Sequence, residues 1–400
     1  MQVGAAVTFL GIFGILLSLV AFAWFSPRKD NSRLALFLII AILHVVSAYI
    51  YYRFVQTSDA DTKLYYYDVY GFFERGFGLG TMFIVHVTQS MRNVFGGSYL
   101  DYFFVYQALG VWGLALVMRT MEETAQALNT ALPPLMMGLM FLPGMYFWTA
   151  AIGKDAPLFL ACALAVWSCF HISSRWYWFG LAIGIMVLIR AHVALLSVVA
   201  LALALVAGRG VPTIARLVLI VAAAASGFIL FGTLQSELQI DLSSVGSIAN
   251  YVEQQTTAAT RGVDNTLATA SFPVKLVSLL YRPFFFDMTG VFGLIASLQN
   301  VVMIAITFVL IQNFRLWIEL FRGSLAIRFA TIHFLLLYLM LAFMYYNVGL
   351  GLRQREMAAP ALLVVIGAIV MVGQLRKRKG SSSAPAGYDT EPKQPLVGQI

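Results

Sequence analysis

The chain's 400 residues include 60% apolar side chains and only 11% charged ones, against about 45 to 50% and about 25% in an ordinary soluble domain. A soluble globule of this make-up has no means of covering its surface, and a large soluble catalytic domain has no room. The net charge of +8 is therefore first a statement about which side of a membrane the charges face, before it is any signal of nucleic-acid binding.

Apolar blocks predict eleven membrane spans, at residues 3–25, 34–54, 99–118, 132–148, 156–170, 177–189, 191–207, 217–231, 291–311, 329–345 and 358–372. The longer blocks match a hydrocarbon layer about 30 Å thick, and the shorter ones point to a thinned or invaginated region. Block 3–25 lacks a basic segment before it and a small-residue cleavage motif, so it reads as a retained span. Segment 76–91 is interrupted by His86 and Gln89 and flanked by Arg75 and Arg92. It reads as an amphipathic or re-entrant helix in the first external loop. The expected fold is an all-α, polytopic transmembrane helix bundle. Its membrane domain covers 1–375, with external loops 56–98 and 235–289, and a Ser/Pro-rich, disordered cytoplasmic tail at 376–400.

Charge sorting gives the orientation. The run Arg376, Lys377, Arg378, Lys379 sets the C-terminus in the cytoplasm, and eleven spans then put the N-terminus outside. Arg33, Arg119, Arg175, Arg315, Arg322 and Arg328 fall on the cytoplasmic side, and the outer side mixes acids with bases. Cys162 and Cys169 share one apolar block and read as small core residues.

Five outer segments carry candidate chemistry. The first, 57–75, packs Asp59, Asp61, Asp68 and Glu74 among Tyr65, Tyr66, Tyr67 and Tyr70. Its carboxylates suit proton abstraction from a sugar hydroxyl, and its rings suit sugar stacking, although an interfacial aromatic belt has the same composition. The second runs from Pro143 through Trp148 to Lys154 and Asp155. There the lysine suits a lipid phosphate and the aspartate suits a helix cap. Arg190, two residues before His192, marks a hairpin between two short spans and is the strongest phosphate-binding candidate. Arg282, held off helix by Pro283, is the fourth. Arg353 and Arg355, near Gly349, Gly351 and Glu356, form a potential pyrophosphate clamp.

In this order the segments resemble the polytopic polysaccharide polymerases of the Wzy and EpsG type, which are related in architecture to the GT-C class of membrane glycosyltransferases. The resemblance rests on Asp59, Asp61 and Tyr65 to Asp68; on Pro143, Trp148, Lys154 and Asp155; on Arg190; on Arg282, Pro283 and Phe284; and on Asn347, Gly349, Arg353, Gln354, Arg355 and Pro360. It departs at Asp155, where many relatives carry Glu, and at Ala191, where many carry Pro.

The resemblance implies a GT-C-like fold in a cell's inner (cytoplasmic) membrane. The implied reaction moves a sugar or oligosaccharide from a polyprenyl phosphate or diphosphate carrier to a glycan or lipid-linked acceptor on the external face. Asp59, Asp61 or Asp68 would act as base, and Tyr65, Tyr66 and Trp148 would stack on sugar. Lys154, Arg190, His192, Arg282, Arg353 and Arg355 would hold phosphate. A divalent cation, Mg or Mn, could join Asp59 and Asp61, and other envelope-polysaccharide assembly proteins would be partners; nucleic acid would not. The competing expectation is a transporter or flippase of lipid-linked glycans, which requires charged groups along a path through the bilayer.

Overall fold

The computed structural model describes residues 8–25, 31–57, 60–208, 270–287, 290–343 and 348–381, with scattered positions between 212 and 267. Predicted span 217–231, much of loop 235–289, the tail beyond 381, Asp59 and Asn347 lie wholly or mostly outside the described residues. The described residues are helical, with no strand among them.

Six stretches are long and apolar enough to cross a membrane: Asn31–Gln56 (α2), Tyr99–Ala127 (α5), Ile172–Val206 (α9), Gly290–Gln312 (α11), Leu325–Phe343 (α13) and Val348–Arg378. The last comprises α14 (Val348–Arg355), a 3-10 turn (Glu356–Ala358) and α15 (Ala359–Ser381). The other helices are α1 (Phe9–Phe25), α3 (Asp61–Tyr67), α4 (Thr81–Phe95), α6 (Pro134–Leu139), α7 (Pro143–Trp148), α8 (Asp155–Cys169), α10 (Phe272–Tyr281) and α12 (Phe314–Gly323). Helix is the form an apolar run takes in lipid, since it satisfies its backbone groups within the segment. Counted this way, six helices stand where eleven spans are expected.

Two differences have clear causes. The expected span 132–148 is two six-residue helices, α6 and α7, each opened by a proline. Pro143 lacks the N–H that a continuing helix needs, so the chain restarts there. Blocks 177–189 and 191–207 are the two arms of α9, which breaks at Arg190 (φ −150°, ψ 88°). Ser197 Oγ lies 3.2 Å from Met186 Sδ, whereas a continuous helix would hold these residues about 16 Å apart. The chain therefore doubles back at Arg190, as a hairpin requires.

Helix α5 is the hub, with 83% of its apolar window buried, against 33% for α2 and 28% for α11, whose apolar sides face outward. Asp101 completes a capping box with Ser98 at its start and accepts hydrogen bonds from both the Thr8 N–H and hydroxyl (2.9 Å each), tying α1 to α5. The two helices touch backbone to backbone at Gly14, where a Cβ would stand 2.5 Å from the Phe104 carbonyl oxygen. Gly14→Ala should lower the thermal midpoint by an amount equivalent to about 1 to 3 kcal/mol. Gly184→Ala, on α9 with nothing within 4 Å of its Cβ, should leave the midpoint unchanged or raise it.

Charges collect at the two ends of the bundle. At one end Arg33 pairs with Glu122 (3.0 Å), Arg119 and Arg175 both pair with Glu123 (2.7 and 2.9 Å), and the Arg175 guanidinium lies 4.0 Å over the Trp167 ring. These are bases that the charge sorting assigns to one side. At the other end lie the start of α8, the α9 elbow and the last turn of α14.

Candidate functional site

Four separate segments meet at that second end. Asp61 is the first residue of α3, Lys154 and Asp155 open α8, Arg190 is the elbow of α9, and Arg353 projects from α14. Arg353 is the hub. Its Nη1 donates to Asp61 Oδ2 at 2.9 Å and its Nε donates to Asp155 Oδ2. The other Asp155 oxygen, Oδ1, is 3.7 Å from Arg190 Nη2, close enough for attraction and too far for a hydrogen bond, and it accepts none among the described residues. Arg190 Nη1 is 3.5 Å from Met357 Sδ, beside the 3-10 turn.

The loops are shaped to allow this convergence. Gly153 adopts φ +149°, and a Cβ there would sit 3.0 Å from the Tyr65 ring, so the ring packs directly on the backbone that delivers Lys154. Because α9 breaks at Arg190, its preceding carbonyls are released, and Leu188 O accepts from the Gly80 N–H (2.8 Å) at the start of α4. Helix α4 overlaps segment 76–91, where an amphipathic or re-entrant helix is expected, and buries Ile84, Val85, Thr88 and Gln89. It starts at residue 81, after Gly76, Gly78 and Gly80. Gln89 and Arg92 donate to the carbonyls of Tyr65 and Tyr66, fixing α3 over the site.

Charge does not balance here. Lys154, Arg190 and Arg353 face Asp61 and Asp155, and Lys154 makes no hydrogen bond or ion pair with any described residue. It is half-buried. Burial, and then the neighbouring Arg190, pull its ammonium down to about 8. Asp155 is 7% exposed and Asp61 57%, so one acid is embedded and the other is at the mouth. A half-buried ammonium with no hydrogen bond to any described residue, beside two guanidinium groups, suits an anion. Since the ammonium is charged below its pKa, affinity for a phosphate ligand should fall as pH rises from 7 to 9. Lys154→Gln should bind more weakly at pH 7 and lose that dependence. Titration of the purified protein with a short polyprenyl phosphate across this range measures both.

The remaining expected site residues have other positions. Tyr65 lines the site. His192 sits half-buried two residues past the elbow, with Arg190 and Lys154 as its charged neighbours. Asp68 is a local clasp: it has φ 49°, and its two oxygens accept from the N–H groups of Phe72 and Phe73 (2.7 and 3.0 Å). Arg282 is taken up by Asp287 (Nε to Oδ2, 2.9 Å), whose carboxyl this pairing holds below the usual range. Tyr66 is packed under Arg92 and donates to Gly97 O at 2.9 Å, and Trp148 belongs to an aromatic cluster with Tyr51 and Phe147.

Arg355 is separated from Arg353 because the expected external loop is helix α14, and residues two apart on a helix point in nearly opposite directions. Arg355 caps the carbonyls of Leu279 and Leu280 and donates to Asn300 Oδ1 (2.7 Å). A pyrophosphate clamp by this pair is therefore replaced by one site residue and one structural residue. Asp155, which the sequence reading used as a helix cap, joins Arg190 to Arg353. The signal for it was an acid following a lysine at the start of an apolar block. No group of three or more His, Cys, Asp or Glu suited to a metal occurs among the described residues, and Asp61 and Asp155 converge on Arg353 instead.

Fold and site together define a polytopic helical membrane protein with a net cationic cluster at one end of its bundle. Comparison with protein-family models, with curated proteins and with solved structures finds no match to the chain in any of the three.

Proposed function

We propose that the cationic cluster binds the phosphate or diphosphate of a lipid-linked sugar, and that the chain is a membrane glycosyltransferase or polymerase. The sugar or oligosaccharide passes from a polyprenyl carrier to a glycan or lipid-linked acceptor on the external face. The observation that carries this reading is Lys154, half-buried and without a hydrogen bond or ion pair to any described residue, beside Arg190 and the Arg353 fork.

The acceptor oxygen attacks the anomeric carbon, the bond from that carbon to the phosphate oxygen breaks, and the phosphate leaves with its electron pair. Negative charge grows on the leaving oxygen, where fixed cationic donors are most effective. Asp61, more than half exposed and held among the described residues by Arg353, is the residue that the incoming phosphate displaces. Once released, it takes the acceptor's proton. Asp155 stays buried and keeps Arg353 aimed. The position of the cluster, at the end of apolar helices, suits a substrate whose head is charged and whose tail is dissolved in lipid.

The test is transfer by the purified protein from a polyprenyl-diphosphate-linked oligosaccharide, read as release of the carrier diphosphate together with growth of the glycan. Carrier release that requires Lys154 and Arg353 supports the reading. A protein that moves the intact lipid-linked glycan between leaflets without cleaving it would show a flippase instead.

A further inference from the structure

The opposite end of the bundle carries a second surface. Helix α15 starts beside the site turn, and Arg376 lies 17 residues beyond Ala359, or about 26 Å along a helix. That is close to the hydrocarbon thickness of about 30 Å, so α15, if it crosses the bilayer from the site turn, carries Arg376 to the other headgroup layer. There it pairs with Glu319 of α12.

Helix α12 has three distinct sides. Leu316 and Leu320 are buried, and Leu316 packs over Gly373 of α15, with its Cδ2 3.8 Å from where a Cβ would be. Trp317 Nε1 donates to Thr331 Oγ1 of α13 (3.2 Å), and buried Arg328 caps the helix through the carbonyls of Phe321 and Arg322. The helix is thus fixed in orientation. Phe314, Ile318 and Phe321 form a partly exposed apolar row, and Arg315, Glu319 and Arg322 form an exposed charged row. Arg376, Lys377 and Arg378, also exposed, extend that row. The surface holds five basic residues and one acid.

We infer that α12 and the end of α15 form a docking surface for anionic phospholipid headgroups in the leaflet opposite the charged site. A soluble polyanion would satisfy the basic row alone. A phospholipid layer satisfies both rows, placing phosphates against the arginines and acyl chains against Phe314, Ile318 and Phe321.

The experiment reconstitutes the full chain in phosphatidylcholine with and without phosphatidylglycerol and counts lipids retained after mild detergent exchange by native mass spectrometry. Wild type should retain phosphatidylglycerol in preference. Arg315→Gln with Arg322→Gln should weaken retention about 25-fold, at about fivefold per basic residue near a headgroup layer. Glu319→Gln removes the one acid of the surface and should strengthen retention, a gain that misfolding cannot produce. Equal retention of both lipids by wild type, no change in either variant, or tighter binding of an oligonucleotide or acidic peptide than of phosphatidylglycerol vesicles would overturn the inference.

Discussion

Replacing Arg353 with alanine is expected to cut transfer sharply and to destabilise the protein. Arg353 is the common partner of buried Asp155 and exposed Asp61. Its loss leaves the Asp155 carboxylate embedded, with Arg190 3.7 Å away as its remaining ion-pair partner. Stranding one member of a buried ion pair costs about 3 to 5 kcal/mol. Loss of a donor aimed at the leaving group should lower kcat/KM about 10²- to 10³-fold. The two effects separate in Arg353→Ala with Asp155→Ala, which removes both members of the pair. Much of the thermal stability should return while transfer stays low. Arg353→Lys keeps the charge without the fork that reaches two carboxylates at once, so it should restore binding better than catalysis. A single variant that unfolds no sooner than wild type would show that the cluster is not a buried network.

Asp61→Asn carries the second large effect, and it has opposite signs in two measurements. Removing the carboxylate that occupies Arg353 Nη1 should tighten binding of a polyprenyl phosphate, because the ligand no longer displaces a competing anion. Removing the base should slow transfer about 10²- to 10⁴-fold. Hydrogen exchange adds an independent readout. In wild type, ligand binding should speed exchange in α3 as Asp61 lets go, while the segment around Gly153 and Lys154 is protected. Weaker ligand binding by Asp61→Asn, or protection of α3 on binding, would show that Asp61 assists the phosphate rather than yielding to it.

What was legible in the sequence divides along physical lines. Helices α2, α5, α11, α13 and α15 are visible because an uninterrupted apolar run has one outcome in lipid. The elbow at Arg190 is visible because a guanidinium in the middle of an apolar block requires a partner or an exit. The break at Pro143 is legible in the sequence, but mean hydropathy over 132–148 hides that two short helices, α6 and α7, stand where a span is expected. Among the candidates, Asp61, Lys154, Arg190 and Arg353 come together, and Asp68, Arg282 and Arg355 do not. Both sets sit in charged, aromatic segments at the ends of apolar blocks. They differ in which local backbone groups are within reach: Asp68 meets two loop amides, Arg282 meets an acid five residues on, and Arg355 meets the open carbonyls at the end of α10. Such neighbours are set by tertiary packing, and spacing alone does not reveal them.

The most direct measurement is an experimental structure of the protein with a polyprenyl diphosphate bound. The account predicts diphosphate oxygens within hydrogen-bond distance, about 3 Å, of Lys154 Nζ and Arg353 Nη1, with the Asp61 carboxylate turned away from Arg353. A diphosphate bound elsewhere, with the Asp61 to Arg353 pair still closed and Lys154 still without a partner, would contradict it.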